Sequence, residues 1–394
     1  MGILRVAIVA GETSGDALGA ALMAALRERA GPIEFRGVAG PAMRAAGCVA
    51  LADAHELAVM GLIEPLKHLP RLLRLRSMLI KRISAWRPEL FIGVDAPAFN
   101  LGLAARFKAR GILTVQYVSP QVWAWRPGRV RTIARRCDLV LCLLPFEPEF
   151  YRSHAVRAEF VGHPLADQIP LQPDRAAARA ALGLDARRPV LALLPGSRLG
   201  EVQRLAAPFI ATAIELSRRR PQLQLLAPMA NAAARAAFEH ALLGAPAAAA
   251  LNLQLLDGQA REALTAADAA LVTSGTATLE ALLCGCPMVV AYRVGALTAL
   301  LLRTLRLVRL RHFSLPNLLA GEALAPEFFQ EAVTSENLSG AIERALDDVA
   351  RREYLQREFL RVHQSLRAGG AGRAADAVLQ LLRRERPDRE GLGH

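Results

Sequence analysis

Short apolar runs rich in β-branched residues alternate along this chain with longer amphipathic stretches, the pattern of repeated strand–helix–strand units. Arg5–Ala10, Phe35–Ala39, Leu90–Val94, Thr114–Val118, Leu139–Leu143 and Glu159–Val161 read as strands of a first block. They are almost continuously apolar, as strands of a parallel sheet covered on both faces must be. A loop over Gly11–Asp16 follows the first strand, and a helix is expected from about Ala17 to Ala30. A proline-rich stretch, Pro164 to Pro173, interrupts the alternation. It restarts with Val190–Leu194, Gln224–Ala227, Leu251–Leu255, Ala269–Val272 and Met288–Ala291. The pattern predicts an α/β protein of two Rossmann-like domains facing a cleft, 1–165 and 174–350, with a frayed polar tail over 384–394. Ligands of such sheets bind outside the carboxyl ends of the strands, so the turns there are where chemistry is sought.

Composition narrows the picture. At 394 residues the chain exceeds one ordinary domain of roughly 100–200 residues. An apolar share of 53% with 22% charged residues is globular and excludes a disordered chain. No stretch reaches the roughly 18 uncharged apolar residues of a spanning helix. Met1–Ala10 runs into the first strand with no signal-peptide layout, so a soluble cytoplasmic protein is expected. Lys+Arg 49 against Asp+Glu 36 leaves a charge of +13, which points to anionic partners. Five cysteines show neither a disulfide framework nor paired zinc spacing; Cys284-Gly-Cys286 reads as packing, and no metal site is expected.

Four turns carry candidate chemistry. Gly11-Glu12-Thr13-Ser14-Gly15-Asp16 joins a strand to a helix whose first amides face an anion, with Ser14 and Gly15 as candidate contacts; a well-capped turn reads the same way. Phe91–Val94 delivers Asp95 to a strand's carboxyl edge, where a general base would accept a hydroxyl proton. A helix cap or loop hydrogen bond is the ordinary alternative. Val190–Leu194 leads into Pro195-Gly196-Ser197-Arg198, placing a hydroxyl and a guanidinium fork suited to a diphosphate; an ion pair of Arg198 with Glu201 would explain the same residue. Val272-Thr273 turns through Ser274-Gly275-Thr276 into a helix whose amino end suits a pyrophosphate, with Glu280 one turn inside for ribose hydroxyls. His163, at the start of the proline-rich stretch, is a weaker candidate facing the cleft. Tyr117–Arg126, with two of three tryptophans, either shapes a pocket or packs a loop. Pro65–Ile83 and Leu297–Phe313 mix leucines with basic residues, as interfacial helices on an anionic membrane do, and as core-facing helices with a solvated basic face also do. An aromatic share of 5% and basic runs without stacking residues speak against nucleic acid.

Gly11–Asp16, Gly93–Asn100, Tyr117–Arg126, Leu194–Arg198, Ser274–Glu280 and Ser314-Leu315-Pro316-Asn317-Leu318-Leu319 together resemble the lipid-A-disaccharide synthase family, in order and over about residues 5 to 382. The resemblance implies a GT-B glycosyltransferase without metal or other cofactor, its last helices, over 351–383, crossing back to the first domain. It implies a β-1,6 linkage made with inversion between UDP-2,3-diacylglucosamine and 2,3-diacylglucosamine 1-phosphate, on the inner face of the inner membrane; the sequence does not give the oligomeric state, for which a homodimer is the reading leaned to. Asp95 would be the base; Arg198 and Asn317 would be essential groups of the site, Asn317 on resemblance alone; and Ser197, Ser274, Gly275, Thr276 and Glu280 would hold the donor. The family's second acidic residue just after Pro97 is Ala98 here, so no carboxylate pair forms at that turn. The competing readings are a GT-B-like enzyme acting on a soluble UDP-sugar, such as an N-acetylglucosaminyltransferase or epimerase, and a non-catalytic basic protein of the membrane surface.

Overall fold

A computed structural model describes residues 3–11, 13–58, 65–120, 122, 127–295 and 312–385. The chain divides into two compact units, Met1–Asp167 with Leu366–His394, and Gln168–Ser365. In the first unit β1 (Leu4–Ala10), β2 (Ile33–Ala39), β3 (Cys48–Asp53), β4 (Leu90–Val94), β5 (Leu113–Tyr117), β6 (Leu139–Cys142) and β7 (Ala158–Phe160) form one sheet in the order β3-β2-β1-β4-β5-β6-β7. Every pairing is parallel. β1, β4 and β6 carry almost no exposed side chain, which accounts for their unbroken apolar reading.

One face of this sheet packs against the helices Thr13–Ala30 and Gly370–Glu385, with Leu22, Leu26, Val378 and Leu382 in a common core. The last helix therefore belongs to the first unit although the chain has passed through the second. A 2.7 Å pair between Arg29 and Asp376 ties the two helices at the surface. The other face is covered by Pro65–Trp86 and Pro97–Lys108, with Leu79, Ile83, Phe91 and Leu103 packed together.

The second unit repeats the plan. β8 (Val190–Leu194), β9 (Gln224–Met229), β10 (Leu253–Asp257), β11 (Ala269–Thr273), β12 (Met288–Tyr292) and β13 (Glu327–Phe329) run in the order β10-β9-β8-β11-β12-β13, again all parallel. The long helix Leu199–Arg219 buries Val202, Leu205, Phe209, Ala213 and Leu216 on one stripe against this sheet.

Two local expectations are corrected, and one open alternative is narrowed. The first helix starts at Thr13, not Ala17, because the Asp16 carboxylate is drawn inward to accept from the amides of Gly40 (2.8 Å), Ala42 (2.8 Å) and Met43 (3.1 Å). Ser14 and Gly15 are thus the first turn of a helix. β3 and β13 escaped the pattern, the one an alanine-rich edge strand of low β-propensity, the other only three residues long. Finally, the basic helix Pro65–Trp86 turns Leu75, Leu79 and Ile83 into the core (7%, 0% and 0% exposed) and leaves Arg74, Lys81 and Arg82 in solvent. Over its described side chains it is a core-facing helix with a basic outer face, on which Leu73 stands 43% exposed. Most of Leu297–Phe313 lies outside the described residues. Among those described, no helix is long and apolar enough to cross a membrane.

Leu79→Ala is therefore expected to destabilise the protein by about 2–5 kcal/mol through lost burial and a cavity, and Lys81→Ala by less than about 0.5 kcal/mol. Urea unfolding of the two variants checks this; equal and small effects would remove Leu79 from the core.

Candidate active site

Each sheet has one point where strand order reverses, between β1 and β4 in the first unit and between β8 and β11 in the second. Chains leave such neighbouring strands in opposite directions, which opens a crevice at their carboxyl ends. All four candidate turns of the sequence fall at these two points.

In the first unit Val9 pairs with Gly93 and Ala10 with Val94, so Gly11 and Asp95 leave the sheet side by side. The two turns touch: a Cβ on Gly11 would stand 2.4 Å from that of Ala96, an approach only glycine permits. Asp95 and Ala96 have φ of 54° and 40°, consecutive left-handed conformations that ordinary side chains avoid. Two buried amides hold them there. Asn100 Nδ2 donates to the carbonyls of Asp95 (2.8 Å), Val9 (3.2 Å) and Val94 (3.3 Å), and Gln116 Nε2 donates to the Asp95 carbonyl at 3.1 Å. The Asp95 amide in turn donates to the Tyr117 carbonyl at 2.9 Å. The main chain of Asp95 is thus bonded on both sides, while its half-buried carboxylate has no hydrogen-bond partner among the described residues. Ser14 is exposed, and Gly15 packs against Asp95.

In the second unit Val272 pairs with Leu194, which sets Pro195–Arg198 beside Ser274–Thr276. Glu201 accepts from the amides of Ser197 (3.1 Å) and Arg198 (3.3 Å) and shapes the first turn. The Arg198 guanidinium meets Glu201 at only 3.4 Å and its side chain is 70% exposed, a loose surface pair that leaves most of the fork available. Gly275, at φ 154°, opens the helix Thr276–Leu283 with open space beside its Cα, and Gly275 and Thr276 are exposed. The helix's free amides therefore face outward, as an anion would need. Glu280 is held at 3.9 Å from Arg261; burial raises its pKa, and Arg261 opposes the shift only in part.

Asn317 lies elsewhere in this scheme. It is fully buried, its Oδ1 accepts from the Ala325 amide at 2.8 Å, and its Nδ2 donates to the Ala325 carbonyl (2.8 Å) and to Glu327 (2.9 Å). Such a side chain offers no group to a substrate, so the direct role expected of it does not match its surroundings. Glu327 gathers that region: it also accepts from the amides of Phe313 (3.1 Å) and Ser314 (2.8 Å) and from the Ser314 hydroxyl (2.6 Å). Ser274 Oγ donates to the Phe313 carbonyl at 3.3 Å, which joins this node to the donor-side turn. Asn100, Gln116 and Glu327 were missed in the sequence because their work is on main-chain atoms far along the chain.

His163 is nearly buried, its pKa lowered by burial to about 4, and its neutral Nδ1 accepts from the Leu165 amide at 3.3 Å. This is a helix cap. Burial pushes the thiol of Cys284 up to about 11 and raises Cys286 as well, in keeping with packing. Gln121 and Trp123–Arg126 lie outside the described residues, so the pocket-or-packing alternative for Tyr117–Arg126 stays open there. No three His, Cys, Asp or Glu side chains group as metal ligands among the described residues.

Two doubly wound parallel sheets, with the last helix returned to the first unit, define a GT-B glycosyltransferase fold. MurG of Acinetobacter baumannii superposes with a TM-score of 0.59 at 14% identity, covering 96% of this chain and 100% of that one. The UDP-GlcNAc 2-epimerase of Neisseria meningitidis, bound to UDP-GlcNAc, does so at 0.62 and 12%, with coverage of 96% and 100%. Those likenesses are of fold alone. The family follows from sequence: the lipid-A-disaccharide synthetase model matches residues 6–379. A lipid-A-disaccharide synthase of Alkalilimnicola ehrlichii is 53% identical over 378 residues, 95% of this chain and 98% of that protein. The chain belongs to the lipid-A-disaccharide synthase family and is a hexosyltransferase.

Two outcomes test the geometry. Asn100→Leu takes the donor from the carbonyls of Val9 and Val94 and leaves that of Asp95 to Gln116 alone, and should destabilise by about 3 kcal/mol, whereas Gln116→Leu leaves Asp95 its shorter Asn100 bond and should cost about 1 kcal/mol; denaturant titration compares them. Glu280, raised by burial, binds its proton more tightly folded than unfolded. Its contribution is present below the ordinary glutamate range and lost as pH rises through the raised value. Glu280→Gln should therefore be more stable than the parent near neutral pH, the gap closing as pH falls below that range. A constant gap across pH would show that charge is not the cause.

Proposed function

We propose that the protein joins UDP-2,3-diacylglucosamine to 2,3-diacylglucosamine 1-phosphate through a β-1,6 bond, releasing UDP. The observation that carries this is a carboxylate, Asp95, without a hydrogen-bond partner among the described residues and fixed at one switch point of a chain otherwise so close to lipid-A-disaccharide synthases. Asp95 accepts the proton of the acceptor's 6-hydroxyl as that oxygen attacks the anomeric carbon from the face opposite UDP, which inverts the centre in one step. The first-unit turn of Ser14 and Gly15 serves the substrate on that side. In the second unit the amides and hydroxyls of Ser274–Thr276, with Ser197 and Arg198, take the charge that gathers on the departing diphosphate. Glu280 accepts from the ribose. No metal is invoked for that charge, since a guanidinium and a helix terminus both face it.

Asn317 acts as a positioning residue: with Glu327 it fixes Phe313, and Phe313 holds Ser274. Acylated substrates also call for contact with an anionic bilayer at the cytoplasmic side. The exposed basic face of Pro65–Trp86, with Leu73 on it, supports peripheral association.

Purified protein with both acylated substrates and EDTA should release UDP and form the disaccharide, and Asp95→Asn should lose at least about a hundredfold in kcat with little change in KM. A soluble UDP-N-acetylglucosamine acceptor pair turned over in place of the lipids would replace the assigned substrates. Full activity of the variant would keep the reaction and discard the base.

A further inference from the structure

The second unit carries an arginine-rich cavity on the edge opposite its proposed donor-binding turns. It has a volume of about 560 Å³ and lies beside the starts of β8 and β11. Arg175, Arg179, Arg187, Arg188, Arg220 and Arg352 line it, and Asp268 is the one carboxylate among its lining residues. Asp268 is already committed: it pairs with Arg175 and Arg179 and accepts from the Val190 amide at 2.8 Å. Arg220 pairs with Asp347. The remaining partners neutralise nothing, for Arg188 donates to the Gln222 carbonyl and Arg352 to that of Leu346. Arg187 is exposed, with no side-chain partner among the described residues. Six guanidinium groups thus meet two carboxylates, a surplus of four positive charges around one hollow.

Two further donors stand idle. Nε of Arg175 and Nε of Arg352 are buried without a hydrogen-bond partner among the described residues. Buried donors are rarely left so, and each calls for an acceptor that the protein does not supply. Abundant arginine on this chain explains exposed forks; it does not explain forks from four separate segments turned onto one cavity with two buried Nε donors unfilled.

We propose that this cavity is a second ligand site, for a soluble anion carrying two or more phosphoryl groups. Guanidinium forks bind phosphoryl oxygens in pairs, which is the chemistry the lining repeats. One phosphate carries at most about two negative charges and would leave half the surplus uncompensated; an oligophosphate matches it. The site shares no residue with the proposed reaction and does not depend on that reading.

Calorimetric titration of the full chain with tripolyphosphate, at saturating UDP, tests it. Wild type is expected to bind one equivalent. Arg187→Glu with Arg188→Glu should weaken binding at least about tenfold, while Arg218→Glu with Arg357→Glu, the same charge change at exposed positions of the same unit outside the cavity, should stay within about threefold. Should the cavity pair fail to fold, Arg187→Gln alone, at an exposed side chain, should weaken binding by about threefold or more. No binding by wild type, or equal weakening by the two charge reversals, would overturn the site. Vesicles of phosphatidylglycerol at matched phosphate serve as competitor. If they displace tripolyphosphate the source is a lipid headgroup and the soluble anion is wrong; if they do not, it is the free oligophosphate.

Discussion

The side-chain amide of Asn100 is the point on which the first unit's edge turns. One NH2 group, fully buried, reaches the carbonyls of Val9 and Val94, near the end of β1 and at the end of β4, and the carbonyl of Asp95 beyond them. At a switch point the strands part and the ladder of main-chain bonds thins out, so carbonyls there draw on side-chain donors. Asn100 meets that need from the first turn of the helix Pro97–Lys108 and in doing so fixes two left-handed residues, each of which costs about 1–3 kcal/mol unaided. Gln116, from the neighbouring strand, adds a second donor to the same carbonyl. The carboxylate of Asp95 is oriented through its backbone, which leaves its oxygens available to a substrate.

The second unit reaches order by the opposite electrostatic route. There a carboxylate, Glu327, collects main-chain amides, a hydroxyl and the Asn317 amide into one node. Charge-assisted bonds of this kind are stronger than neutral ones, so a short strand and a six-residue helix suffice to hold the chain on either side of the site. The contrast explains why Asn100 and Asn317, alike in type and burial, serve differently. The first grips the residue that carries the proposed base; the second grips another gripping residue, Glu327.

The architecture was largely legible because parallel strands buried on both faces must be continuously apolar, and eleven of them announce themselves that way, from Arg5–Ala10 to Met288–Ala291. β3 and β13 were not, since an edge strand of Ala and Cys and a strand of three residues carry no such signal. Candidate site residues were legible where a strand ends in a polar turn, as at Asp95, Ser197 and Ser274. What the sequence does not display is the direction in which a polar side chain turns. Asp16, inside the most conspicuous motif, points into the fold to cap Pro41–Ala45, and Leu79, within a basic stretch that also reads as a membrane helix, faces the core. Those choices are made by contacts tens of residues away.

Fold and family contribute differently to the functional reading. A 12% identical epimerase shares these two sheets, so the architecture is common to proteins other than glycosyl transfer enzymes. What separates transfer from isomerisation is chemical, namely a base that can approach an external hydroxyl while a diphosphate is stabilised as it leaves. In the proposed reaction Asp95 would meet the first condition, since among the described residues its main chain alone is tied down. In the proposed reaction Arg198 would meet the second, since its pair with Glu201 is long and solvent-facing and a diphosphate with better geometry would displace it. A buried, tightly paired arginine at that turn would have been a scaffold; the loosely held Arg198 leaves its fork open to the anion proposed for it.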